Sequence, residues 1–169
     1  SILFQPEERN ILFLDDDNLL SFPDPRESDA EGLVALSRKL GLKRLLEAYR
    51  SGIFPWMKMD FDPYLWCWFS PDPRMLLFPA EFKTSRSLGK VLREQSFDVK
   101  VDRDFRSTIE SCASVNRPGQ ESTWIERDMI EDYVQLHRQG TAHSIEAYQK
   151  GQLVGGLYRL SMGKLFFGE

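Results

Sequence analysis

Cysteine and histidine are scarce in this chain of 169 residues, with two of each: Cys67 and Cys112, His137 and His143. Two cysteines without a repeated spacing make no disulfide framework, and with two histidines they complete no metal-ligand set, so no metal is expected. Buried free thiols in a reduced, cytoplasmic protein are the expectation. Long apolar runs are missing as well. No stretch approaches the roughly 18–20 apolar residues that span a bilayer, and the opening ILFQPEERNILFLDDD is too acidic and too broken for a signal peptide. Positive charge is not in excess: the formal net charge is -4, so no overall basic field marks a nucleic-acid binder, although a local basic patch stays open. There is no internal repeat and no low-complexity tract.

What is present is enough for a core. At 41% hydrophobic and 12% aromatic, the composition excludes a disordered chain and suits one domain, or a small domain beside a medium one. Residues 15–32, rich in Asp, Pro and Ser, read as extended loop. Leu42, Leu45, Leu46 and Tyr49 recur at helical spacing up to Ser51, with Gly52 just past the end. The next stretch, GIFPWMKMDFDPYLWCWFSPDPR, holds Pro55, Pro63, Pro71 and Pro73 among seven aromatic residues. It is expected to be a long ordered loop, either functional or cementing two domains.

Beyond Met75 strands and helices alternate. MLLF (75–78) reads as a short strand, Ser85–Glu94 as a helix, and FDVKV (97–101) as a strand. Asp102 is expected to cap a helix carrying Phe105, Ile109 and Cys112. Thr123 and Glu126 have capping-box spacing before a helix with Met129, Ile130, Tyr133 and Leu136 that stops at Gly140. Three strands follow, HSIEAYQ, QLVGGLYRL and KLFF, joined by turns at Lys150–Gly151 and Ser161–Gly163, hence antiparallel. The predicted class is α+β, with an N-terminal loop-and-helix domain over 1–74 and a second domain over 75–169. Strand-helix-helix followed by a meander is also the opening of an acyltransferase-type sheet. His143, at the start of a strand, reads as a hydrogen-bonded structural histidine, and Ser70 has no histidine and aspartate at nucleophile-system spacing.

Several blocks are unusual enough to be diagnostic. GLVAL (32–36), RLLEAYRSGIFPW (44–56), SPDPR (70–74), SRSL (85–88), STWI (122–125), LHRQGTAHSIEAY (136–148) and LVGGLYRLSMGKLFFGE (153–169) follow one another in order. In this the chain resembles leucyl/phenylalanyl-tRNA–protein transferases. The resemblance implies a small N-terminal domain packed on a GNAT-like (acyl-CoA N-acyltransferase-like) domain. It implies transfer of Leu, Phe or Met from aminoacyl-tRNA to proteins beginning with Arg or Lys, which sends them into the N-degron degradation route, with no cofactor or metal. By motif position it links Tyr49, Trp56, Trp124, Tyr133 and Glu169 to the active site.

Those residue types suit the chemistry. An aminoacyl ester is already activated, so positioning and proton management matter more than a covalent nucleophile. Trp56 and Trp124 offer flat faces to the terminal adenosine, where a stacked base contributes about 1–3 kcal/mol. Leu157, Phe166 and Phe167 are candidates for an apolar pocket. Glu169 is the candidate catalytic carboxylate, holding the incoming α-ammonium or accepting its proton. Lys83, Arg86, Lys90 and Arg93 form a basic stripe that meets tRNA phosphates or, equally, faces solvent.

Two departures stand out. After GLVAL the family usually has Gly-Gly-Asp-Leu-Ser-Pro, whereas Ser37-Arg38-Lys39-Leu40-Gly41-Leu42 stands here. The family also continues past FFGE with further helices and strands, including an Asp-x-Gln pair assigned to the catalytic centre. If 169 residues were the whole protein, the second domain's sheet would lack its C-terminal half, and such a chain is expected to be inactive and prone to associate. Two alternatives therefore stay open: another GNAT-type aminoacyltransferase, of the kind acting on cell-wall precursors, and a non-catalytic homologue that binds aminoacyl-tRNA or protein N-termini.

Overall fold

The computed structural model describes residues 11–14, 21–59, 62–115 and 125–168. The chain divides into two compact units, one within residues 1–73 and the other within 74–169. No helix among the described residues is long and apolar enough to cross a membrane.

The first unit is built on a four-stranded sheet in the order β1-β2-β4-β3, formed by β1 (Leu12–Leu14), β2 (Leu33–Ser37), β3 (Phe54–Lys58) and β4 (Trp66–Phe69). β1 runs parallel to β2, and the other neighbours are antiparallel. β2 (LVALS) and β4 (WCWF) are buried at every position, which is why neither shows an apolar-polar alternation: central strands covered on both faces read as continuous apolar runs. Leu33, Leu36, Met59, Leu65, Cys67 and Phe69 make one core cluster. Helix α1 (Leu42–Arg50) buries Leu45, Ala48 and Tyr49, as its apolar spacing requires.

The proline- and ring-rich stretch after Gly52 is therefore not the irregular loop its composition suggests. Two strands run through it, and the N-terminal unit is a sheet-and-helix unit. Pro55 fits because β3 is an edge strand, bulged between Pro55 and Met57, where a missing backbone donor breaks no ladder on the outer side. The altered segment after β2 holds itself together. Trp68 Nε1 donates to the buried Ser37 hydroxyl at 2.8 Å, and that hydroxyl donates to the Lys39 carbonyl at 2.8 Å. Arg44 Nη1 donates to the same carbonyl, also at 2.8 Å, and Gly41 (φ 72°) turns the chain into α1.

The second unit is an antiparallel meander in the order β5-β6-β7-β8, formed by β5 (Asp98–Val101), β6 (Ala142–Gln149), β7 (Gln152–Met162) and β8 (Leu165–Gly168). Helix α2 (Arg86–Glu94) precedes β5, and α3 (Phe105–Ser114) and α4 (Arg127–Arg138) lie between β5 and β6. Lys150 and Gly151, both at positive φ, form the expected β6–β7 turn. The second turn lies later than the sequence suggests: β7 continues through Ser161 and Met162, and Gly163 (φ 60°) makes the corner.

Two further expectations are corrected. MLLF (75–78) forms no strand, and Met75, Leu76, Leu77 and Phe78 are all exposed; an apolar tetrapeptide becomes a strand only where a neighbour takes its backbone hydrogen bonds. The cap of α3 is Asp104, whose carboxylate accepts from the Ser107 amide at 3.0 Å and its hydroxyl at 2.7 Å, while Asp102 is engaged elsewhere. Of the predicted capping box, Glu126 sits at the N-cap of α4 without a side-chain cap bond, and Thr123 lies outside the described residues.

Candidate functional site

Side chains alternate across a sheet, so the register of the meander sorts its residues into two faces. On one face Ser144, Glu146, Tyr158 and Leu160 are buried under α3 and α4, together with Phe105, Ile109, Met129, Tyr133 and Leu136. The helix lies so close that a Cβ at Gly156 would stand 2.9 Å from Thr108 Cγ2. The other face carries Val99 and Val101 from β5, Ile145 from β6, Leu157 and Arg159 from β7, and Phe166 from β8. Leu157 is 41% exposed and Phe166 is 58% exposed. This half-open apolar face is the candidate site of the unit.

The register brings some of the sequence candidates together and separates others. Leu157 pairs with Ile145, and Phe166 pairs with Ser161, so both stand on the open face. Between them Arg159 lays its guanidinium over the Phe166 ring, 4.4 Å from its centroid. Arg159 Nε is buried and has no hydrogen-bond partner among the described residues. Phe167 points the other way, partnered with Leu160, and its ring meets the Arg74 guanidinium at 5.7 Å. Tyr133 is fully buried on α4, its ring edge-on to Tyr158 at 5.4 Å. Tyr49, in the first unit, is likewise a core side chain, whereas Trp56 on β3 is 41% exposed, its ring edge-on to Phe69 at 5.3 Å. Lys83, Arg86, Lys90 and Arg93 are exposed, the last three following one another along α2; Lys90 lies 3.7 Å from Glu94. Trp124 and Glu169 lie outside the described residues.

The corner between β5 and α3 borders the open face. Asp102 adopts a left-handed backbone (φ 57°), rare for a residue with a side chain. Its Oδ2 accepts from His143 Nδ1 at 2.7 Å and its Oδ1 from the Ser144 amide at 2.9 Å. Burial works to raise the Asp102 pKa, but the His143 and Ser144 hydrogen bonds and the two nearby imidazoles outweigh it and hold the carboxyl below its usual range. The corner is anchored by Glu146, a fully buried carboxylate on β6. It accepts from the Arg103 and Asp104 amides at 3.3 and 3.1 Å and from the Ser144 hydroxyl at 2.6 Å. Neither Asp102 nor Glu146 stands out in the sequence as a site residue. The one available signal is a carboxylate in the middle of the apolar strand HSIEAYQ, where a buried charge demands partners. Among the described residues no group of three or more His, Cys, Asp or Glu is placed to hold a metal.

A family profile described as leucyl/phenylalanyl-tRNA protein transferase matches residues 76–169, more than half of the chain. The chain belongs to that family. The profile of the N-terminal domain of the leucyl/phenylalanyl-tRNA–protein transferases matches residues 38–72. Curated relatives that match the chain bear the name leucyl/phenylalanyl-tRNA–protein transferase, among them the following three. The chain is 50% identical to that of Dechloromonas aromatica over 141 residues, covering 83% of this chain and 59% of the relative. It is 53% identical to that of Paraburkholderia phytofirmans over 146 residues, covering 84% and 58%, and 48% identical to that of Pseudomonas fluorescens over 154 residues, covering 90% and 66%. The chain thus spans about three fifths of the length of the first two of these transferases.

Proposed function

We propose that this chain carries the aminoacyl-binding half of an enzyme that moves Leu, Phe or Met from aminoacyl-tRNA to the α-amine of proteins beginning with Arg or Lys. The observation that carries this reading is the open apolar face of the meander, with Leu157 and Phe166 on adjacent strands, in a chain of this family. An unbranched or γ-branched apolar side chain laid against those residues is recognised by burial, at about 25 cal/mol per Å² of apolar surface removed from water. Such a surface tolerates Leu, Phe and Met alike, because it makes no directional demand. Tyr133 and Phe167 support it from the other side of the sheet.

The remaining roles are those that the resemblance implies and that residue chemistry suits. Trp56, whose ring is exposed, is a stacking face for the terminal adenosine. Lys83 and the α2 stripe of Arg86, Lys90 and Arg93 meet tRNA phosphates, and Glu169 holds the incoming α-ammonium or accepts its proton. The GNAT-like assignment of the second unit, the cytoplasm as its place of work, independence of cofactors and entry of the product into N-degron degradation belong to the same reading.

The test is direct. The protein expressed from its complete gene is given charged tRNA carrying labelled Leu or Phe and a peptide beginning with Arg. Transfer of label to the peptide is expected; no transfer to any peptide beginning with Arg or Lys overturns the proposal.

A further inference from the structure

Arg159 stands on the open face of the meander without a counter-ion. The register sets its side chain among Val99, Val101, Ile145, Leu157 and Phe166, and among the described residues of the sheet it is the one side chain on that face with a permanent charge. Neither cross-strand partner supplies an anion. His143, opposite on β6, donates its Nδ1 hydrogen to Asp102 Oδ2 at 2.7 Å, and Gly168, opposite on β8, has no side chain. The Asp102 carboxylate is committed to that imidazole and to the Ser144 amide.

The guanidinium instead lies over the Phe166 ring, 4.4 Å from its centroid, and the buried Nε finds no hydrogen-bond acceptor among the described residues. A ring face offsets only part of the cost of drying a cation, and a buried donor without an acceptor adds to that cost. Lys100 and Arg106 show the ordinary alternative in the same unit, each paired with a carboxylate at the surface. A cation kept in this condition on an apolar recognition face is one whose acceptor arrives with the ligand.

The chemistry of charged tRNA limits what that acceptor is. The ester carbonyl and the ribose hydroxyl are neutral, the α-ammonium of the aminoacyl group is itself a cation, and an apolar side chain has nothing to accept with. The nearest anion is the phosphodiester that joins the terminal nucleotide to the rest of the RNA. A guanidinium meets the two free oxygens of such a group with parallel N–H donors. Residues two apart on a strand stand about 7 Å from each other on one face, so Arg159 lies a short step from Leu157, as the phosphate lies a ribose away from the ester. Phe166 remains 58% exposed beside the guanidinium and keeps its apolar surface open to the aminoacyl side chain.

We propose that Arg159 is the binding residue for this terminal phosphodiester, so that the open face takes the apolar side chain and the RNA backbone behind it together. This rests on the transferase reading above, and it gives Arg159 no part in making or breaking bonds.

The experiment uses the protein expressed from its complete gene and two non-hydrolysable donors. In both, phenylalanine is joined through an amide to a ribose, in one that of adenosine and in the other that of adenosine 5′-monophosphate. Wild type is expected to bind the phosphorylated donor about tenfold more tightly, an advantage that shrinks as salt rises. Arg159→Gln, and Arg159→Met, which keeps an apolar contact with Phe166, are expected to bind the unphosphorylated donor within about twofold of wild type and to lose the advantage of the phosphate. A phosphate advantage that survives in both variants overturns the proposal. Variants that bind both donors as wild type does but transfer slowly from bound charged tRNA also overturn it, and assign the guanidinium to the reacting end. A wild type that binds neither donor sinks the transferase reading and this one together; a wild type that binds the two donors alike sinks this one alone.

Discussion

A methyl group on Gly156 would stand 2.9 Å from Thr108 Cγ2 and 3.3 Å from the Ile145 carbonyl oxygen, whereas one on Gly155 would meet only the Ala147 Cβ at 4.0 Å. Adjacent glycines in one strand thus face opposite circumstances. One lies under α3, and the other is on the open side.

Gly156→Ala is accordingly expected to destabilise the unit by about 1–3 kcal/mol, because neither a buried threonine on a helix nor a ladder carbonyl yields easily. Gly155→Ala is expected to be neutral or slightly stabilising, since it adds only ordinary contact and stiffens the unfolded chain. Urea unfolding of both variants measures this. Thr108→Ser removes the clashing methyl, so in that background much of the Gly156→Ala cost should vanish. Equal losses at 155 and 156 would contradict the close approach of α3.

The Ser37 hydroxyl is the acceptor for the buried Trp68 indole. Ser37→Ala leaves that N–H without a partner in a dry place and should cost about 1–3 kcal/mol. In a Trp68→Phe background, where the donor is gone, the same substitution should cost much less. A double-mutant cycle by chemical unfolding gives the coupling, and a coupling near zero would mean that the bond contributes nothing.

Acid should weaken the second unit through its corner carboxylates. Asp104 is held below its usual range by the Ser107 hydroxyl and amide, and Asp102 is held low by the balance described above. A depressed folded-state pKa contributes stability that is present above the unfolded value, near 4, and is lost as pH falls through the folded value. Unfolding free energy is therefore expected to be flat from pH 7 to 5 and to drop below pH 4. Asp104→Asn and Asp102→Asn should each make that drop shallower. Unchanged acid slopes in both variants would show that these carboxylates are not linked to folding.

Residues on the two faces of the meander should part company when mutated. Leu157→Ala and Phe166→Ala, on the open side, are expected to change stability by no more than about 0.5 kcal/mol and to shift the preference among Leu-, Phe- and Met-charged tRNA. Tyr158→Ala, fully buried against Phe105 and Tyr133, should cost about 3–5 kcal/mol. The measurements are thermal unfolding and competition between differently charged tRNAs.

Charge reversal of Arg86, Lys90 and Arg93 to Glu should weaken tRNA binding uniformly across tRNA species. It should also flatten the plot of log affinity against log salt by about one for each phosphate contact removed. An unchanged slope would assign the stripe to solvent.

Much of the fold was legible because its signals are local. The apolar spacing of Leu88, Val91 and Leu92 marks α2, positive-φ Gly140 follows the end of α4, and Lys150–Gly151 fixes the β6–β7 hairpin. What was illegible depends on distant partners. Pro55 looks incompatible with a sheet until β3 is known to be an edge, and Asp102 and Asp104 look interchangeable as caps until His143 and Glu146, some forty residues on, divide their roles. Phe166 and Phe167 read as one apolar pair, yet strand alternation sends only Phe166 to the face shared with Leu157. The apolar part of the site could thus be seen in the sequence, and the polar part could not.

Glu146 also acts as a proofreader of strand pairing. If β6 slipped by one residue against its neighbours, its carboxylate would swing to the apolar side of the sheet and the Arg103 and Asp104 amides would lose their acceptor. An uncompensated charge on one side and two unpaired donors on the other make that misregistered chain unstable, so an apolar meander that could otherwise slide has a single seating.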